Sequence, residues 1–330
     1  MEMYANAARS AFVSTIKRPH GAYLIRVLSA TGLSLLLSLA FISQAMGAGT
    51  SGATFLTMGS GARIEALAGA GTALASGYDA AYWNPASLGR CEDNALSFSH
   101  AAWFADIGYE HMCYVYPLPQ AMTLGISTSI LHAQGIPRTS EDTYGLFNGT
   151  DGSFSYTAMA VSGSLGKYVG QGLYVGGSAK ILYEDNEAEA SAGMAFDMAG
   201  LYVSPNGRWS AGVASRNIGR GLRVHGVDQP LPSELSPGLA TALVDSTLIA
   251  SFDACGTADA GTRFSWGMEQ RMGQMLFVRA GYTSSTERTA HKGLTVGVGI
   301  SMKRLSLDYS ASDFESLGLV HRFTLSIGGN

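Results

Sequence analysis

From Gly293 the chain reads Gly-Leu-Thr-Val-Gly-Val-Gly-Ile-Ser-Met. Leu294, Val296, Val298, Ile300 and Met302 fall on one side of an extended backbone, and Thr295, Gly297, Gly299 and Ser301 on the other. A period of two, with one apolar face and one small or polar face, predicts a β-strand. Lys303-Arg304 interrupts it, and the alternation resumes with Leu305, Leu307 and Tyr309 against Ser306, Asp308 and Ser310, which predicts a hairpin with a tight turn. The same pattern returns at Leu173–Tyr183, Arg263–Glu269, Leu276–Tyr282 and Arg322–Ile327. Strands are predicted to begin near Asn94, Gly108, Met122, Ser153, Leu173, Ser191, Trp209, Leu235, Leu248, Thr262, Leu276, Gly293, Leu305 and His321. That makes about fourteen, an even number, as single-chain bacterial barrels require.

The connections sort into two classes. Short ones are Pro117–Gln120, Ser204–Arg208, Val244–Thr247, Met272–Met275 and Lys303–Arg304; long ones are His132–Gly152, Glu184–Ala190, Gly219–Glu234, Ser284–Lys292 and Ala311–Val320. On this reading short and long alternate without exception, as in outer-membrane barrels with tight periplasmic turns and longer external loops. Tyr114, Tyr116, Tyr183, Tyr202, Trp209, Tyr282 and Tyr309 sit near strand ends, where interfacial girdles form, although the β-propensity of aromatics places them in strands anyway. The predicted fold class is all-β: a transmembrane antiparallel barrel of about fourteen strands with a short helical plug before it.

Composition agrees with a chain built for lipid. Charged residues are 14 % of the chain, against about a quarter in soluble domains, and glycine is 42 of 330 residues. The net charge of −4 brings no basic stripe, so nucleic acid is not an expected partner. Residues 1–48 read as a signal peptide: basic Arg9, Lys17, Arg18 and Arg26, an apolar run from Val27 to Ile42, then Ala45-Met46-Gly47-Ala48, with cleavage after Gly47 or Ala48. A membrane anchor is the competing reading, disfavoured because the apolar run is short and small residues end it at once. No later segment is a candidate spanning helix. Cys91, Cys113 and Cys255 are odd in number and irregular in spacing, so neither a disulfide framework nor a metal site is expected.

Residues 49–93 lack the alternation. Phe55–Arg63 leads into an Ala/Gly-rich stretch, and Tyr82-Trp83-Asn84-Pro85-Ala86-Ser87-Leu88 closes it. This reads as short helical turns forming a plug inside the barrel, or a cap at its periplasmic mouth, ahead of a barrel over 94–330. The run Phe55–Arg63, the Ala68-Gly69-Ala70-Gly71 stretch and Asp79–Leu88 resemble the N-terminal signature of PorV/PorQ-type outer-membrane proteins, within the superfamily of the fatty-acid channel FadL. The resemblance is specific over residues 51–90 and architectural beyond them. It implies a fourteen-stranded barrel in the bacterial outer membrane with its N-terminal segment inside. It also implies either uptake of hydrophobic compounds, as in FadL, or attachment of secreted proteins, as in PorV. Two departures stand out. The external loops are shorter than FadL's, and the chain ends in Gly328-Gly329-Asn330 rather than an aromatic, leaving Phe323 as the residue for the barrel assembly machinery to read.

Catalytic constellations are missing: no Walker motif, HExxH or GxSxG occurs, and Gly69-Ala70-Gly71 lacks the third glycine of a dinucleotide fingerprint. Neither an enzyme nor a cofactor is expected. The candidate functional residues are the plug motif, Tyr82, Trp83, Asn84, Pro85 and Ala86, and the charges assigned to the inner face: Lys180, Asp197, Asp253, Arg263, Glu269, Arg279, Asp308 and Arg322. Charge is tolerated in a lumen and costly on a lipid face. Such groups either pair and hold the plug or line a path. Phe55, Leu56, Leu67, Leu74, Tyr82 and Trp83 are expected to line an apolar pocket. Two functions follow: a passive conduit for small hydrophobic molecules, or a non-conducting scaffold in a type IX-like secretion or surface-attachment system. The partners are then outer-membrane lipids and either a small hydrophobic molecule or a secreted protein.

Overall fold

The structure is a computed structural model that describes residues 51–328 apart from 225, 244–246, 258–260 and 287–292; the expected signal peptide, 1–48, lies outside the described residues. The strands are β1 (Ala95–Ala102), β2 (Gly108–Leu118), β3 (Met122–Glu141), β4 (Phe147–Gly170), β5 (Leu173–Asp185), β6 (Ala190–Val203), β7 (Trp209–Ile218), β8 (Leu222–Val224), β9 (Val227–Gln229), β10 (Glu234–Leu243), β11 (Leu248–Thr257), β12 (Gly261–Met272), β13 (Leu276–Ser285), β14 (Gly293–Met302), β15 (Leu305–Asp313) and β16 (Leu319–Gly328). All but β8 and β9 close one antiparallel barrel, fourteen strands among the described residues. The seam runs between the chain ends, with Ala95 opposite Gly328 and Ala102 opposite His321.

The alternation of the sequence becomes the two faces of the wall. On β14, Leu294, Val296, Val298 and Ile300 are exposed while Thr295 and its small neighbours point in and are covered. The same inversion holds on β16, where Phe323, Leu325 and Ile327 face out and Arg322, Thr324 and Ser326 face in. Apolar side chains outside and polar ones inside suit a barrel solvated by lipid, where every backbone group must find its partner within the wall. Strands β7, β10, β11, β13, β14 and β16 are ten residues each, close to the 9–11 that cross a bilayer when tilted. No helix among the described residues is long and apolar enough to cross.

Three expectations need correction. The connection expected over His132–Gly152 is mostly strand. Beyond His132, β3 and β4 run on as a two-stranded ribbon, with bulged register between Ala133 and Glu141, and only residues 142–146 form the bend. Its tip exposes Tyr144, Leu146 and Phe147. The connection after β7 holds the small β8–β9 hairpin and is not wholly irregular. The alternation of short and long connections also has an exception: β11 and β12 are joined at the long-loop end by residues 258–260 alone.

Candidate functional site

Residues 51–94 fill the lumen. Their secondary structure is brief: helices α1 (Ala62–Glu65) and α2 (Ala80–Trp83), with 3-10 turns at Thr54–Thr57, Gly77–Asp79 and Pro85–Arg90. Helices this short do not stand alone. The wall holds them, and small residues make the fit possible. A methyl group on Gly166 or Gly176 would overlap the backbone of Pro85, and one on Gly281 the backbone at Leu67 and Ala68. Ala62, Ala66, Ala70, Ala80 and Ala86 are fully buried against the wall or one another.

The plug motif is a hub of hydrogen bonds. The Asn84 amide donates to the Thr72 carbonyl (2.6 Å) and to Gly200 of β6 (3.3 Å), while its Oδ1 accepts from the Ala86 N–H (3.0 Å). Asn84 thereby caps the turn that Pro85 begins, an N-terminal position where a proline loses no hydrogen bond. The Tyr82 hydroxyl donates to the Leu56 carbonyl (2.7 Å) and accepts from Gly59 (2.9 Å), and the Trp83 indole donates to the Ser60 carbonyl (2.9 Å).

Seven of the eight strand charges named above are buried and held by partners. Glu269 receives Arg63 of the plug at 2.9 Å twice and Arg279 at 2.6 Å; Arg279 also reaches Asp308 at 2.6 Å. Arg322 donates to the carbonyls of Met58 and Gly59. Asp253 accepts the Thr72 N–H at 2.8 Å. Lys180 bonds Asp197 and Asn217 within the wall. Arg263 differs. It is only half-buried, its Nε has no partner, and it lines the lumen cavity.

Sequence reading missed part of this hub. Arg216 pairs with Glu234 at 2.8 Å, donates to the Trp83 carbonyl at 3.0 Å, and lies 5.5 Å from the Trp83 ring. The signal was present: Arg216 continues the inward parity of Gly212 and Ala214 along β7. A bulge at the next residue, Asn217, hides it by ending the regular alternation.

The cavity lies above the plug on the long-loop side and measures about 330 Å³. Trp83 and Met58 of the plug line it from below, and Trp103 and Phe314 from the loops above. The Trp103 ring is 4.9 Å from Phe314 and 5.5 Å from Phe104, a three-ring cluster of which Trp103 and Phe314 face the cavity. Thr57, Thr283, Thr295 and Ser312 add hydroxyls, and Glu65, Glu234, Arg263 and Arg322 add charge. Burial pushes the Glu65 carboxyl up, opposed by Arg322 and Arg263. The cavity therefore has aromatic side chains above and below and hydroxyls and charges around its sides. Of the six plug residues expected to line an apolar pocket, only Trp83 does so; Phe55, Leu56 and Leu67 are buried in docking the plug. Their apolar surface holds the plug to the wall, and the loops supply the aromatic lining instead.

One histidine contacts a serine within the wall. His111 Nδ1 lies 2.9 Å from Ser129 Oγ, but its Nε2 has no partner among the described residues, so the pair lacks there the third member of a triad.

A sequence profile described as "Uncharacterised protein family (UPF0164)" matches residues 39–225, more than half of the chain. The chain belongs to this family. No curated protein matches it at a significant level. Among solved structures, the fold is similar to "CymD monoaromatic hydrocarbon channel" (TM-score 0.62, 14 % identity, covering 82 % of this chain and 97 % of that one). It is similar to the Ralstonia pickettii toluene transporter TbuX (TM-score 0.57, 17 % identity, 83 % and 98 %). A Pseudomonas aeruginosa FadL homologue also aligns (TM-score 0.57, 12 % identity, 82 % and 98 %). At these identities the likeness establishes a shared FadL-type barrel. The first two of these relatives are named as a channel and a transporter.

Proposed function

We propose that this UPF0164 member is an outer-membrane conduit that passes small, largely apolar molecules passively, after export through a cleaved signal peptide. The carrying observation is the lumen cavity lined by Trp103 and Phe314 above and Trp83 below, with Phe104 packed behind Trp103. Ligand sites of this kind are concave, aromatic-rich and furnished with a few polar groups that orient the guest. The outward apolar face supports placement in a bilayer. The solved relatives named for monoaromatic hydrocarbons and toluene support a guest of that size. The test is binding of an aromatic fluorescent probe to the purified barrel. Trp103→Ala with Phe314→Ala should weaken binding at least several-fold while the barrel stays folded. A parent protein that binds no such probe overturns the reading.

A second reading has its own observation. The β3–β4 ribbon carries Tyr144, Leu146 and Phe147 on an exposed tip, which suits a PorV/PorQ-like role in holding a secreted protein. Deleting the ribbon would then abolish partner attachment and leave probe binding intact.

A further inference from the structure

Five ionisable groups meet at the short-turn end of the lumen. Arg63 and Asp79 come from the plug, Glu269 from β12, Arg279 from β13 and Asp308 from β15. Asp79 is 2 % exposed, and the three strand groups are nearly as covered. Two guanidiniums face three carboxylates. Glu269 takes both guanidiniums and Asp308 takes the second bond of Arg279, so the positive charge is spoken for. Asp79 is the surplus acid. Its Oδ1 is wedged against the backbone of Gly61, where even a methyl group would collide with it, and receives no hydrogen bond. The remaining neighbours offer no cation: the Tyr78 hydroxyl, directed to Ser326 of β16, and the Cys113 thiol of β2.

A buried carboxylate with a donorless oxygen, in a cluster already neutral, is strongly disfavoured, and one proton relieves it. We propose that Asp79 is a proton-binding site and that the plug docks at the short-turn end with this proton in place, so that closure of the lumen there is coupled to pH. Burial has the largest influence on the carboxyl and, with Asp308 and Glu269, outweighs Arg63 and Arg279; it lifts the group from 3.8 to about 7. A released plug returns Asp79 to its ordinary range. The docked state therefore binds the extra proton between the two values. Docking is tightest below about 4, weakens as pH rises through 7, and stays weak above it.

Plug docking can be read directly, with no ligand and independently of the conduit reading. Hydrogen-exchange protection factors, which remove the intrinsic pH dependence of exchange, are measured for the Leu67 and Asn84 amides in the full barrel at pH 5.5 and 8. Both amides are bonded within the plug, to Ile64 and Ala80. Protection should fall roughly ten- to thirty-fold between the two conditions. Asp79→Asn, which keeps the shape of the protonated acid, should be well protected and flat across them. Should that variant fail to fold, Asp79→Ser serves the same comparison. A wild-type protein with equal protection at both pH values overturns the proposal, as does a neutral variant that keeps the wild-type slope.

Discussion

Arg63 of the plug and Glu269 of β12 meet through two parallel bonds, Nε to Oε2 and Nη2 to Oε1, both 2.9 Å. This is the one side-chain ion pair between plug and wall among the described residues, and it shares its carboxylate with Arg279. Breaking a buried pair from one side costs about 3–5 kcal/mol because the other charge is stranded. Glu269→Gln strands the Arg63 guanidinium and leaves Arg279 with Asp308 alone, whereas Arg63→Ala leaves Glu269 paired with Arg279. The glutamine variant should therefore loosen the plug more than the alanine variant, with the barrel itself intact. Hydrogen exchange across residues 62–86 ranks the two, and an inverted order would show that the pair does not hold the plug.

Small residues in the wall should prove as necessary as charge. Gly176→Val places a side chain where the Pro85 carbonyl and the Ala86 nitrogen lie, with backbone on both sides and no flexible end to yield. The plug should undock while the strands still pair. Planar-bilayer conductance should rise from near zero to a steady open level. A silent Gly176→Val would mean that the plug tolerates displacement without opening a path.

The barrel should be heat-modifiable. Fourteen strands closed from Ala95 to Gly328 leave no free edge to unzip, so an unboiled sample in detergent should migrate apart from a boiled one on a gel. Identical mobility, or recovery in the soluble fraction, would contradict a lipid-solvated wall.

Arg263 should set what the cavity accepts. Its Nε is unpartnered, unlike the bonded guanidiniums of Arg63, Arg216, Arg279 and Arg322. Arg263→Met keeps length and removes charge, and should tighten binding of an uncharged aromatic probe about ten-fold, near 1.4 kcal/mol. Weaker binding would mean that the guanidinium itself holds the probe.

The β3–β4 ribbon should be dispensable for folding. Replacing residues 134–155 with a tight turn removes no wall pairing below His132, so thermal stability should change by less than about 1 kcal/mol. A variant that fails to assemble would make the ribbon part of the barrel's folding.

The wall was legible because lipid and lumen impose a strict period of two, and Leu294 to Met302 carries it without interruption. The ribbon was not. Around Pro137, Gly145, Gly149 and Gly152 neither face is buried, so nothing selects alternating side chains and the strand reads as loop. Strands of three residues, such as Leu222–Val224, are too short to show a period at all. The cavity was misplaced for a different reason. Apolar residues in a plug can face a guest or face the wall, and composition does not distinguish the two. Trp103 and Phe314 come from loops 211 positions apart in sequence and meet only once the seam between β1 and β16 has closed. Asp79 gave no signal, since its isolation depends on how Arg63, Arg279, Glu269 and Asp308 pair with one another.

Residues 91–94 join the last turn of the plug to β1, and the Cys91 carbonyl accepts from Thr123 in the wall. Four residues reach about 14 Å when fully extended. The end of the plug that adjoins β1 therefore stays within that distance of the wall. A released plug can swing at its attachment point or refold against another part of the wall, but it stays tethered beside the start of β1. Any opening of this barrel therefore pivots on that anchor, and the released segment remains beside the mouth it closed, at a local concentration that favours its return.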